Sequence, residues 1–301
     1  MRKANLDTDQ ISRSLLQKAV RRGCSTLIGQ VVNYLTEIGD TKWLKDRLAV
    51  IVFEECWVLG ETLKLSRDVN IVEMLTKVCE AVKMKDAAGL GTLGYALSKG
   101  DFSVLSDDPI SDRNIKIIAE AIKRPNDFWA WVNKECNDDR QFLLVQSAEK
   151  GFRKGGWPWD RAFMQAAAYL AISSSIPRVQ YIQEVHRNFP FWIAIDKHTP
   201  RGKEVLRQSS KLFKIPYHQL GWISFYLESA VTNQSNKSYW WTREIDWRLG
   251  KAGISYEQAQ DLWGDMSPKI SQMLESDALD LSKKFVLDLK SEVSLSQLVL
   301  F

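Results

Sequence analysis

Cysteine and histidine are scarce in this chain, and several common signatures are missing. The four cysteines, at 24, 56, 79 and 136, form no C-x-x-C pair and have no histidine nearby. That spacing excludes a zinc ribbon or a disulfide scaffold and reads as buried thiols in a reducing compartment, the cytoplasm. The three histidines, His186, His198 and His218, stand 12 and 20 residues apart with no H-E-x-x-H, so no metal site is expected. No G-x-x-x-x-G-K-[ST] is present to cradle a triphosphate, and no G-x-S-x-G to expose a nucleophile. No cofactor is expected. No apolar run approaches a membrane span of roughly 18 residues, and the basic N-terminus has no apolar stretch behind it. Large charge of one sign is absent too: the formal net charge is +4 over 301 residues.

What is present is an ordinary globular composition, 45% apolar and 26% charged, with an unusual load of 12 tryptophans. Eight of them follow residue 150. Three- and four-residue apolar spacing predicts helices over 9–22, 26–38, 43–60, 69–84, 87–99, 112–123, 140–152 and 160–173. It predicts more over 178–187, 200–213, 217–231, 239–249, 255–263 and 268–290. Asp108-Pro109, Arg124-Pro125, Trp157-Pro158, Thr199-Pro200 and Ser267-Pro268 place proline where a first turn tolerates it. The one strand-like run, 189–195, reads equally well as a buried helical turn. The expected fold is therefore all-α, a multi-helix globular protein with two helical subdomains. Their boundary is expected at the glycine- and proline-bearing segment 151–159, giving a scaffold over 1–150 and an aromatic-rich part over 151–301.

Residues 9–100 carry a further pattern. Leu16–Arg22 is followed by the apolar seam Leu27–Leu35, then Arg47-Leu48 and the acidic pair Glu54-Glu55, then the stretch from Asn70 to Gly100. This third of the chain resembles the helical C-terminal region of clamp-loader-like AAA+ ATPases of the replication-associated recombination type. The resemblance implies a helical scaffold with a DNA-transaction ancestry. It carries no ATP hydrolysis, because the ATPase half has no counterpart.

Gly89, Gly91 and Gly94 match G-x-G-x-x-G, but a dinucleotide fingerprint needs a strand before it. The preceding residues read as helix, so a close-packed helix–helix turn is expected instead.

The richest segment is 189–214. Apolar residues deliver Asp196 to the end of a buried element, with His198 two positions on; Thr199 can cap the next helix and Pro200 can open it. Lys197, Arg201, Lys203, Arg207, Lys211 and Lys214 give residues 196–214 a charge of +4, the net charge of the whole chain. A helix N-terminus among cations suits a phosphate. Asp196 and His198, with Glu228 as a second carboxylate, have the parts for acid–base work; equally they fit a polar turn and a surface glutamate. Trp222, Tyr239, Trp240 and Trp241 are stacking candidates, interleaved with Arg243, Arg248 and Lys251; the alternative is an aromatic core. Arg21-Arg22 could contact phosphate or answer a helix dipole.

Phosphodiester cleavage usually wants a carboxylate–metal cluster and base deamination a zinc site. Neither is visible. By elimination the expected activity is metal-independent DNA base excision, by a glycosylase acting on a damaged or modified base in repair or in defence against modified phage DNA. Asp196 would be its carboxylate, and Lys197, Thr199, Arg201, Lys203 and Arg207 would hold the backbone. The alternative is a non-catalytic DNA-binding accessory module of replication or repair, and a third option is a structural adaptor. DNA is the expected partner, and no membrane is.

Overall fold

A computed structural model describes residues 6–63, 69–154, 156–182, 189–235 and 238–285. In chain order the helices are α1 (Leu6–Arg22), α2 (Ile28–Glu37), α3 (Thr41–Glu55), α4 (Ile71–Glu80), α5 (Asp86–Ser98), α6 (Pro109–Lys123) and α7 (Pro125–Glu135). Then come α8 (Asp139–Lys154), α9 (Pro158–Ser173), α10 (Pro200–Phe213), α11 (Tyr217–Ser224), α12 (Tyr239–Lys251) and α13 (Tyr256–Met273). Residues 275–285 are helical as well. The fold is all-α, and only isolated β-bridges occur among the described residues.

The chain forms two units, and neither is a contiguous half. The first comprises Met1–Asp40, Val185–Val231 and Leu249–Phe301; the second comprises Thr41–Glu184 and Thr232–Arg248. The expected boundary at 151–159 falls inside the second unit, where α8 and α9 pack on each other. Gly156, at φ +110°, and Pro158 turn the chain between two neighbouring helices there. Turn residues mark a corner as readily as a linker.

In the second unit α5 is the hub, packed on α6 and α9. The glycines 89, 91 and 94 are not a turn; they lie inside α5. A Cβ on Gly89 would come within 2.3 Å of the Trp240 backbone, one on Gly91 within 2.8 Å of the Ala162 backbone, and one on Gly94 within 2.4 Å of the Ile118 side chain. Their missing side chains let three neighbours approach the hub closely.

After Glu80 the chain leaves the helix expected over 69–84 and runs extended, with bridges from Ala81 to Tyr181 and from Lys83 to Ser235. The buried Lys83 ammonium causes the stop to hold: it donates to the carbonyls of Val78 (2.5 Å), Cys79 (2.9 Å) and Ala81 (2.8 Å) at the end of α4. Burial pulls its pKa down to about 8. Residues 178–182 are likewise not helical, because Gln180 and Ile182 spend their backbone groups on Val82 and Glu80. The rest of that expected helix, 183–187, lies outside the described residues. So do 286–290 of the expected C-terminal helix.

Three further expectations shift. The helix over 43–60 ends at Glu55 and continues as a 3₁₀ stretch, Trp57–Thr62. Helix α7 was not foreseen beyond its Arg124-Pro125 start. The separate helices over 255–263 and 268–290 run together in α13 as far as Met273, with Pro268 inside it, and a turn at Leu274 precedes the helical residues 275–285. The run 189–195 resolves as a 3₁₀ turn, Phe191–Ala194.

Candidate functional site

In the first unit the turn Phe191–Ala194 buries Ile193, Ala194 and Ile195 and carries Asp196 inward, 7% exposed. Its partner is Lys18, on α1 between the buried Leu15, Leu16, Ala19 and Val20. The Lys18 ammonium forms an ion pair with Asp196 Oδ2 and also donates to Ser14 Oγ at 3.0 Å. The His198 backbone N–H donates to Asp196 Oδ1 at 2.9 Å, and His198 Nδ1 lies 3.1 Å from Oδ2. Burial alone would push this carboxyl upward. Lys18 and His198 outweigh it and hold the pKa well below the ordinary carboxylate range. Asp196 is thus an ionised, internally paired group. A residue so engaged orders the structure around it and has little capacity to take or give a proton near neutral pH.

The start of α10 is closed by the same turn. Thr199 caps it: its hydroxyl accepts from the Gly202 N–H (3.1 Å) and donates to the Asp196 carbonyl (2.9 Å). A Cβ at Gly202 would lie 1.9 Å from that carbonyl oxygen. The anion position expected at this N-terminus is therefore filled by the chain itself. The cavity that Asp196 lines with Trp192, Glu228 and Trp263 holds about 20 Å³. That accommodates a water and not a nucleobase.

Glu228 lies in a π-helical turn, Phe225–Ser229, that continues α11. Its carboxylate takes Arg22 Nη2 at 2.5 Å and Trp263 Nε1 at 3.1 Å. Arg22 also donates to the Glu228 carbonyl, and Arg21 to the Ser229 carbonyl, both at 2.7 Å. The basic end of α1 thus donates to the carbonyls of the π turn.

Other expected contacts are similarly committed. Arg201 pairs with Glu204 (2.9 Å) and Asp277 (3.0 Å). The Lys197 ammonium sits 3.2 Å from the centre of the Trp222 ring and 4.5 Å from that of Phe225, covering the face expected to stack a base. In the second unit Arg243 pairs with Asp112 at 2.7 Å and donates to the Val104 carbonyl at 3.0 Å. Trp240 is buried with its backbone against α5, and Trp241 carries the Lys85 ammonium 4.4 Å from its ring centre. Tyr239 is half exposed, its hydroxyl 2.7 Å from Ser111 Oγ.

Two of the expected cations stand differently. Lys203 and Arg207 are exposed on α10, followed by the exposed Lys211 and Lys214. Lys203, Arg207 and Lys211 recur every four residues, so they share one helix face. Lys214 closes the helix in the left-handed conformation, at φ 56°. None of the four pairs with a carboxylate among the described residues; the nearby Glu204 serves Arg201. Arg207 rests over the Tyr217 ring at 5.6 Å, which orients it without neutralising it.

Lys18 and Trp263 were missed from the sequence. The one available signal for Lys18 is a lysine and a serine four residues apart on an otherwise apolar helix face. No group of histidine, cysteine, aspartate and glutamate side chains suited to a metal ion occurs among the described residues. Comparison of the chain with protein-family models, curated proteins and solved structures returns no match.

Proposed function

We propose that this chain is a non-catalytic DNA-binding protein that holds the phosphodiester backbone on the outer face of α10. The observation that carries this reading is the run of four exposed, carboxylate-free cations, Lys203, Arg207, Lys211 and Lys214. From 203 to 211 the face rises about 12 Å. Duplex DNA presents a phosphate on each strand about every 3.4 Å of its axis, so several phosphates fall within reach. The burial of Asp196 and the pairing of both Asp196 and Glu228 favour this reading over base excision, which needs a carboxylate beside an extruded base. The clamp-loader-like pattern of residues 9–100 agrees with an accessory role in DNA transactions.

The test is fluorescence anisotropy with a labelled duplex in EDTA, using the wild type and the triple variant Lys203→Gln, Arg207→Gln, Lys211→Gln. The expected result is salt-sensitive binding that the variant loses at least tenfold, with no alkali-labile sites in any DNA offered. Unchanged binding by the variant removes α10 from the interface. Alkali-labile sites that disappear in a folded Asp196→Asn protein restore base excision.

A further inference from the structure

A second surface lies in the second unit. At the end of α5, Tyr95 packs against Trp159 of α9 with ring centres 4.3 Å apart and the planes tilted by 44°. The Arg248 guanidinium of α12 lies 5.4 Å from the Trp159 ring centre and 4.2 Å from that of Trp247. The Lys99 ammonium lies 5.5 Å from the Tyr95 ring, and Trp247 Nε1 donates to Ser103 Oγ at 3.0 Å. The contacts run from Lys99 through the rings of Tyr95 and Trp159 to Arg248 and Trp247; Lys99 is exposed and the other four are partly buried. Two residues before Trp159, at the cap of α9, Trp157 is 74% exposed. No ring stacks on it among the described residues.

This exposure needs a reason. Trp57, Trp129, Trp240 and Trp263 are each at most 8% exposed. The protein therefore has interior room for tryptophan, and an open indole forgoes roughly 2 kcal/mol or more of burial. The position is also fixed: Pro158 and the Trp157 N–H bond to Asp160 Oδ2 (3.2 Å) set the backbone, so the ring projects from an ordered corner. The exposed Lys99 and Lys154 bring positive charge to the ends of α5 and α8 that flank it in sequence and packing.

We propose that this aromatic–cation strip binds single-stranded nucleic acid, with Trp157 stacking on an unpaired base and Lys99 and Arg248 serving its phosphates. An open ring flanked by cations matches a strand whose bases are free, because each base offers a face and each linkage a charge. A duplex keeps its base faces stacked on one another and cannot use the indole. The inference rests on the nucleic-acid reading but on a different surface, and it adds a strand preference that α10 alone does not supply.

The experiment titrates the full chain with oligo(dT) and with a duplex of equal length, following tryptophan emission and anisotropy. The variants are Trp157→Ala, Trp157→Phe, Lys99→Gln and the α10 triple variant. Trp157 is exposed, so its removal leaves the fold intact. Oligo(dT) is expected to quench tryptophan emission. Trp157→Ala is expected to weaken oligo(dT) about tenfold or more with duplex binding unchanged, and Trp157→Phe to recover most of the loss. Lys99→Gln should make oligo(dT) binding less steeply salt dependent. Equal affinity of wild type and Trp157→Ala for oligo(dT) overturns the proposal, as does displacement of oligo(dT) by an equal charge of poly-glutamate. Loss through Trp157 with none through α10 keeps the strip and removes the α10 reading. The reverse keeps α10 alone, and absence of binding to either strand form removes both.

Discussion

At the scale of single residues, the chain's most informative contact is the pair Lys18–Asp196, between side chains 5% and 3% exposed. Removing one member of such a pair strands the other in a poorly solvated place. Asp196→Ala and Lys18→Met should each cost about 3–5 kcal/mol, read from urea unfolding midpoints. The double variant Lys18→Met, Asp196→Leu should recover a large part, because no unpaired charge remains. Additive losses would show that the two charges do not act as a unit. The pair also sets a pH dependence. The folded carboxyl titrates below the unfolded value of about 3.9, so the unfolded chain takes up this proton first. The stabilisation is fully present above about pH 4 and is lost as pH falls through the folded value. Urea midpoints should therefore decline below pH 4 more steeply in the wild type than in Asp196→Asn. Parallel pH profiles for the two would contradict the assignment.

Among elements, glycine gives the sharpest test, because identical substitutions should have opposite signs. Gly91→Ala improves helix propensity by about 1 kcal/mol, yet its methyl would meet the Ala162 backbone at 2.8 Å. Overpacking typically costs about 1–3 kcal/mol, and backbone cannot move aside as a side-chain tip can. Gly91→Ala should thus destabilise on balance, and Gly89→Ala, at 2.3 Å from Trp240, should do so more. Gly264 is exposed within α13 with nothing within 4 Å of its Cβ, so Gly264→Ala should stabilise by about 0.5–1 kcal/mol. Thermal midpoints that move together in all three variants would refute the close-packing account. Element by element, legibility followed how local the deciding signal is. Helix α10 was readable because Thr199-Pro200 starts it and its apolar spacing is regular. The end of α4 was not, since it depends on bonds from Val82 and Lys83 to residues 180 and 234. Pro268 misled because the residue that would suit a first turn lies in the interior of α13 instead.

For the whole molecule, the sequence located the basic segment 196–214 but could not say which of its charges are already used. Lys18 and Asp196 are 178 residues apart, and nothing periodic encodes such a contact. Folding consumes Arg201 and places the Lys197 ammonium against Trp222 and Phe225, leaving Lys203, Arg207, Lys211 and Lys214 as the outward cations of this segment. This bounds the affinity. Each phosphate neutralised on a duplex contributes about −0.9 to the slope of log K against log salt. Four cations on α10 therefore allow a slope no steeper than about −4 from this face. The triple variant Lys203→Gln, Arg207→Gln, Lys211→Gln should flatten it by about 3 while leaving the unfolding free energy within about 0.5 kcal/mol, because exposed side chains without a carboxylate partner add little to stability. A wild-type slope well beyond −4 would mean that other cations carry the contact. An unchanged slope in a folded triple variant would show that α10 is a solvated face and no more.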